Sequence, residues 1–536
     1  MKKAILSRLL VGMMAVALLF TACAGGASTP AANTPTTAPA STSGGTEAPA
    51  GDELVEFSVA TWRGHDQVDS INQQLLEERY NVKINLVILP APPDHQAKLA
   101  LMMADPSQRP DVFLFERAWQ KEFTQWRDAG LLTEISEYYF KYPNIREYSE
   151  GPWGGDTMFF AAEANGDLYR IPGDISEPGH MINMIRKDWL DHVDMDVPTT
   201  YEEFMAALYA FIDNNPTNGN PEAYAFHNSH ELRSFQPWWS YYDIVGDNFR
   251  VKEDGTVVYG LLEPQVKDAL ADIQALYKAG GIDPNILTNG YNTTEKTAAG
   301  NWGSTYRWIS SFNTQSTSFQ NFKKNNPDGS FVDLTPFPNP TGTETDRGIG
   351  FEGNYYFSIT AQAADKAERI YAFFDGCAAG DDYLLKKFGR EGVDWAIEDG
   401  MYKTLLGPDD NTTQNIGINV FHDFVNRKDD MNIANHPDVA AMFNRGTELV
   451  ARDVARNVYI KTPDRPVWNA NRAELDDIRD VYIWGIIAGQ RPVSDFDQFV
   501  TAWLAAGGAE ATAETQALYE AQQIEFENFK NVFKAK

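Results

Sequence analysis

From Leu54 to Phe115 the chain switches between two periodicities, and the order of the switches restricts the fold it can adopt. Val55, Phe57 and Val59 recur at every second position, as on a strand. Ile71, Leu75 and Leu76 suit one face of a helix, and Val82, Ile84, Leu86 and Ile88 alternate again. A further helical stretch from His95 to Ala104 leads to the short apolar run Val112 to Phe115. Strand, helix, strand, helix, strand in this order predicts an α/β fold, with a mixed, mostly parallel sheet flanked by helices. In such sheets ligands bind beyond the carboxyl ends of the strands, so the loops after the first and third strands are the first candidates for function. They carry Trp62, Arg63 and Asp66 in one case, Glu116 and Trp119 in the other. Trp119 also falls in helical register with Phe123 and Trp126, which suits burial in its own helix.

The chain ahead of this unit is of another kind. Lys2, Lys3 and Arg8 precede the mostly apolar run Ile5 to Phe20, and small residues lead into Cys23. That is the layout of a secretory signal peptide, residues 1–22, too short to span a bilayer as a helix. Phe20-Thr21-Ala22-Cys23 resembles the bacterial lipobox, with Phe where Leu is usual. The resemblance implies a lipid on Cys23 and an extracytoplasmic protein anchored to the cell membrane. Residues 23–52 are nearly all Ala, Gly, Ser, Thr, Pro and Asn, with no apolar surface to offset the entropy of ordering, and are expected to form a flexible tether.

With 536 residues there is material for two or three domains. The 75 acidic residues outnumber the 45 basic ones and leave a formal charge of −30, a surface that repels polyphosphate and excludes nucleic acid as a partner. Cys377 is the second of two cysteines and falls on a helical face with Ile370, Phe373 and Phe374, so it reads as a small buried hydrophobe.

An ordered series of motifs then carries a family resemblance. Asp167 to Pro172 is followed by Met184 to Leu190, and then by Val197-Pro-Thr-Thr-Tyr-Glu-Glu-Phe204, where Thr200 and Glu203 form a capping box. Gly280-Gly-Ile-Asp-Pro284 closes the helix of Val266, Leu270, Ile273 and Tyr277. Phe388 to Trp395 and Trp503 to Gly508 complete the series. In this order, behind a lipobox, the chain resembles the family 1 extracellular solute-binding proteins of carbohydrate ABC importers. The resemblance implies a two-lobed clamshell of the type II periplasmic-binding-protein kind, with no enzymatic activity. One lobe is expected at about 53–178 with 346–410 and the other at about 179–345 with 411–536. The implied partners are a carbohydrate held between the lobes and a membrane permease, and a monomer is expected.

Saccharides present flat C–H patches and rims of hydroxyls, so their sites combine aromatic platforms with carboxylate, amide and guanidinium groups. Four further stretches have that mixture: Trp153; Trp238, Trp239 and Tyr242; Trp302, Tyr306, Arg307 and Trp308; and Glu352, Asn354 and Tyr355. The four rings between Trp238 and Tyr242 look too dense for one helical face to bury. An arginine fork binds two hydroxyls or one uronate carboxylate equally well, which leaves neutral and acidic oligosaccharides open, with the overall acidity favouring neutral ones. A receptor of the same architecture for peptides or other non-sugar solutes is the alternative, and a surface glycoside hydrolase or lyase a remoter one.

Gly348-Ile-Gly350-Phe-Glu-Gly353 spells a dinucleotide fingerprint, but a strand-like run follows where a helix is needed. His227, His230 and Glu231 lack the spacing of zinc-hydrolase helices and read as exposed loop residues. Larger relatives can carry a calcium loop after the Pro-Thr helix, and Asp213, Asn218, Asn220 and Glu222 stand in that place; a capping turn is the simpler account, and no cofactor is otherwise expected.

Overall fold

A computed structural model describes residues 53–62, 69–90, 94–116, 120–150, 158–159, 161–163, 165–174, 181–217, 222–227, 229–287, 293–308, 317–340, 355–398, 401–405, 458–459, 461 and 463–533. The described strands are β1 (Val55–Thr61), β2 (Val82–Ile88), β3 (Val112–Glu116), β4 (Ile171–Asp174), β5 (Met181–Arg186), β6 (Tyr224–Phe226), β7 (Phe249–Val251), β8 (Val257–Tyr259), β9 (Trp302–Trp308), β10 (Phe331–Leu334), β11 (Tyr355–Ile359), β12 (Trp395–Glu398) and β13 (Met401–Thr404).

The alternation at the start of the chain produces the expected unit. β1 and β2 pair in parallel through the helix Ile71–Tyr80, and β3 adds in parallel on the other side of β1. The sheet order is β2-β1-β3-β11-β4, with β11 antiparallel to both of its neighbours. The second sheet has the order β10-β5-β9-β6, and two of its three pairings are antiparallel. Both sheets are therefore mixed, and the second is less parallel than the periodicity alone implies. In the first sheet the reason lies in connectivity: β11 begins at the edge where β1 and β3 end, so it must run against them.

Each sheet has its own core. Phe57, Val59, Phe113, Phe115, Phe357, Phe373 and Phe374 anchor the first, and Phe204, Phe226, Trp238, Trp239, Leu270, Ile273 and Trp503 the second. The Thr200–Glu203 capping box forms at the head of the helix Tyr201–Asn214, whose Phe204, Leu208 and Phe211 are buried as their spacing requires. Gly280 takes a positive φ of 79° where the helix Val266–Lys278 stops, a conformation that costs glycine little. Cys377 is fully buried with Ile370, Phe373 and Phe374, and burial pushes its thiol up to about 12, so it is inert. The signal peptide, Cys23 and the tether lie outside the described residues.

Candidate functional site

The carboxyl edge of the first sheet is built by register. Tyr355 opens β11 opposite Glu116, the last residue of β3, and opposite Asp174, the last residue of β4. These three backbone positions stand side by side in one row. Trp62, immediately after β1, is partly buried and leans against the Tyr355 ring, with centroids 6.2 Å apart and planes at 58°. One indole and one phenol thus share the edge with two positions occupied by acids. Arg63, Asp66, Trp119, Trp153, Glu352 and Asn354 lie outside the described residues.

The chain leaves the first sheet at Asp174 and enters the second at Met181, so the edge marked by Met181 is the one joined to the first lobe by that crossing. Met181 pairs with Trp308, Ile182 with Arg307 and Asn183 with Tyr306. The second predicted cluster therefore ends at this edge. The Arg307 guanidinium donates to Thr297 Oγ1 at 2.7 Å, and loss of water around it holds its pKa below the usual range. Tyr306 is nearly buried beside Asn183.

Asn183 itself was not among the expected residues. It accepts from Ser304 Oγ at 3.1 Å, while its Nδ2 is buried with no hydrogen-bond partner among the described residues. A buried amide end of this kind calls for an explanation, and a hydroxyl-bearing ligand could supply its acceptor. The sequence signal was an asparagine inside the otherwise apolar run Met181-Ile-Asn-Met-Ile185.

Three expected ring contacts are corrected. Trp238 and Trp239 are fully buried: Trp238 meets the Phe226 ring edge-on at 4.8 Å, and Trp239 Nε1 donates to the Leu232 carbonyl at 2.6 Å. The helix Gln236–Tyr241 is enclosed on more than one face, so the density of rings that argued for exposure is met by packing all round. Trp302 is also buried, stacked on Phe331 at 5.2 Å, with Nε1 donating to Thr297. It stands at the opposite end of β9 from Trp308, roughly 20 Å away at the rise of a strand. Tyr242 is half-buried, and its hydroxyl and that of Tyr201 both donate to Asp272 Oδ2 at 2.7 Å.

The histidines are not exposed as expected: His227 is buried, and His230 stacks on Trp484 at 4.5 Å with Nδ1 2.6 Å from the Ile286 carbonyl. Of the calcium positions, Asp213 is exposed near the end of its helix and Glu222 lies 3.8 Å from Lys296, while Asn218 and Asn220 lie outside the described residues. No group of three His, Cys, Asp or Glu side chains suited to a metal occurs among the described residues.

The family model described as bacterial extracellular solute-binding protein matches residues 65–382. The chain is 22% identical over 423 residues to Lipoprotein LipO of Bacillus subtilis (strain 168), covering 74% of this chain and 78% of that one. It is 26% identical over 200 residues to the fructooligosaccharide ABC transporter substrate-binding protein FusA of Streptococcus pneumoniae serotype 4, or 34% of this chain and 36% of that one. The solved structure of FusA in complex with kestose superimposes with a TM-score of 0.62 at 17% identity, over 88% of this chain and 99% of that one. The HMO-binding ABC-transporter-associated solute-binding protein of Bifidobacterium longum infantis superimposes with a TM-score of 0.66 at 18% identity over the same shares. These likenesses establish a two-lobed, periplasmic-binding-protein-like fold with mixed sheets flanked by helices.

Proposed function

Because the chain belongs to the bacterial extracellular solute-binding protein family, we propose that it captures an oligosaccharide between its two lobes and delivers it to an ABC transporter permease, while a lipid on Cys23 keeps it at the membrane. As a member of that family it is a binding protein and not an enzyme. The observation that carries the saccharide reading is the edge where Trp62 leans on Tyr355 beside Glu116 and Asp174. An aromatic platform with acidic neighbours suits a ring of C–H groups and hydroxyls. In this proposal the positions of Tyr306, Arg307, Trp308 and Asn183 at the edge of the second sheet form the opposing wall. The fructooligosaccharide-binding FusA and the HMO-binding protein support the same class. On this reading the lobes comprise about 53–178 with 346–410 and about 179–345 with 411–536, and the protein acts as a monomer. The ligand draws the lobes together only by its extra affinity for the closed form.

A thermal-shift screen with kestose, lacto-N-tetraose, trigalacturonate and a mixed oligopeptide pool tests this. One saccharide class is expected to stabilise the protein by about 2.7 kcal/mol at a hundredfold excess over its Kd. Trp62→Ala should weaken that binding by about tenfold or more, with the circular-dichroism spectrum unchanged. Stabilisation by the peptides and by none of the saccharides would overturn the proposal.

The anchor has its own test. Cys23→Ala is expected to move the protein from the membrane to the soluble extracytoplasmic fraction with saccharide affinity unchanged. Continued membrane attachment of that variant would remove Cys23 from the anchoring role.

A further inference from the structure

The helix Ala509–Phe533 belongs to both cores. Ala511 is buried in the second core, Glu514 accepts the backbone N–H groups of Val467 and Trp468 at 2.9 Å, and Gln516 accepts that of Val257 at 2.6 Å. Further along the helix, Phe526 and Phe529 pack against Phe159 of the first core, with ring centroids at 4.9 and 5.4 Å. Lys461 sits between the two attachments. Its backbone exchanges hydrogen bonds with the Gln522 side chain, at 3.2 Å to Oε1 and 2.6 Å from Nε2. Its Nζ lies 4.4 Å from the Phe159 ring centroid and donates to the Ala162 carbonyl at 2.6 Å and to Glu525 at 3.0 Å.

Ala162 bridges to Leu168, and the carboxyl edge of the sheet at Asp174 is six residues beyond Leu168, or roughly 20 Å of extended chain. The tie is thus set back from the edge that carries Trp62 and Tyr355. Opening the lobes about any distant axis would pull the two phenylalanines off Phe159 and break a nearly buried ammonium away from its carbonyl, a loss of packing and of a desolvated polar contact together.

We infer that the junction of Phe159, Ala162, Lys461, Phe526 and Phe529 is the fixed pivot about which the two lobes rotate, with the carboxyl-terminal helix as a third tie beside the two sheet crossings. The inference rests on the proposed function only in requiring that the lobes move; it does not depend on what they bind. Rotation about this point leaves distances across the junction nearly constant while the lobes separate.

Pairwise electron–electron distance measurements on the full-length Cys23→Ala chain test it. Spin labels at the exposed Leu101 and the exposed Ala517, which follows Gln516 on the second-core half of the helix, span the junction, and labels at Leu101 and the exposed Lys324 span the lobes. Buried Cys377 stays unlabelled. In the ligand-free protein the Leu101–Ala517 distribution is expected to be at least twofold narrower than the Leu101–Lys324 one. Phe526→Ala with Phe529→Ala should broaden the first distribution towards the second. Equal widths for the two pairs in the parent protein overturn the pivot, and this result does not require the double variant to fold. If the junction pair is narrow and the lobe pair broad, yet no saccharide moves either, the pivot stands and the saccharide reading falls.

Discussion

Trp239→Ala is expected to destabilise the second lobe by about 3–5 kcal/mol, and to leave the saccharide affinity of the protein that remains folded unchanged. The indole is fully buried, its N–H is engaged by the Leu232 carbonyl, and the Phe235 ring meets it edge-on at 6.3 Å. Gly246 lies so close that an added Cβ there would stand 3.2 Å from the indole Cδ1. A side chain held this closely leaves a cavity that its neighbours cannot collapse into, so the full cost of truncation is retained. Trp302→Ala should behave in the same way, because Phe331 would lose its stacking partner and Thr297 its donor. Urea unfolding, followed by the loss of tryptophan fluorescence and by saccharide titration below the transition, separates the two effects. Loss of affinity with less than about 1 kcal/mol of destabilisation would return either residue to the binding site. Trp62→Ala is the opposite case, with a small change in stability and a large one in affinity.

The contrast between these tryptophans marks where the sequence was readable and where it was not. Local periodicity and local caps are decided by neighbours along the chain. The first parallel strand–helix–strand unit, the Thr200–Glu203 box and the buried face of Cys377 therefore all follow from spacing. Whether an aromatic run is a platform or a core is decided by partners brought from elsewhere. Besides its neighbour Phe235, Trp238 meets Phe204 and Phe226, drawn from a helix and a strand, and nothing near Trp238 in sequence announces those two. Trp302 shares a strand with Arg307, and both side chains reach Thr297, yet the indole is enclosed against Phe331 by a strand that is distant in sequence. The direction of β11 follows from the edge at which the chain re-enters the first sheet, a property of the whole path. The pairing of Phe159 with Phe526 and Phe529, from distant parts of the folded chain, is of the same kind. Asn183 was legible in principle, as a polar residue within an apolar strand, but a polar residue there signals only that something must satisfy it.

The second large effect expected is one of pH, centred on Asp375. This carboxylate ends the helix Ala367–Gly376, is fully buried, and accepts the Ile145 N–H at 2.8 Å, so one helix caps the head of another, Pro143–Glu150. Burial pushes its pKa up from 3.8 to about 6, against the hydrogen bonds from the head of that helix and the charge of Arg146, which act the other way. A carboxyl whose folded pKa lies above its unfolded one binds its proton more tightly in the folded state. Its contribution to stability is therefore fully present below about pH 3.8 and is lost as pH rises through about 6. A shift of about two units corresponds to roughly 3 kcal/mol of lost stability at pH 8. Asp375→Asn keeps an acceptor for the Ile145 N–H and removes the titration. The variant should match the parent near pH 3 and become the more stable of the two by up to roughly 3 kcal/mol between pH 7 and 8, with most of the divergence between about pH 4 and 6. Other carboxylates, Glu203 and Glu368 with lowered pKa values among them, are common to both proteins and cancel in the difference. Denaturation midpoints measured across this range decide the matter. A difference that stays constant with pH would mean that Asp375 keeps its charge throughout and acts only as a cap.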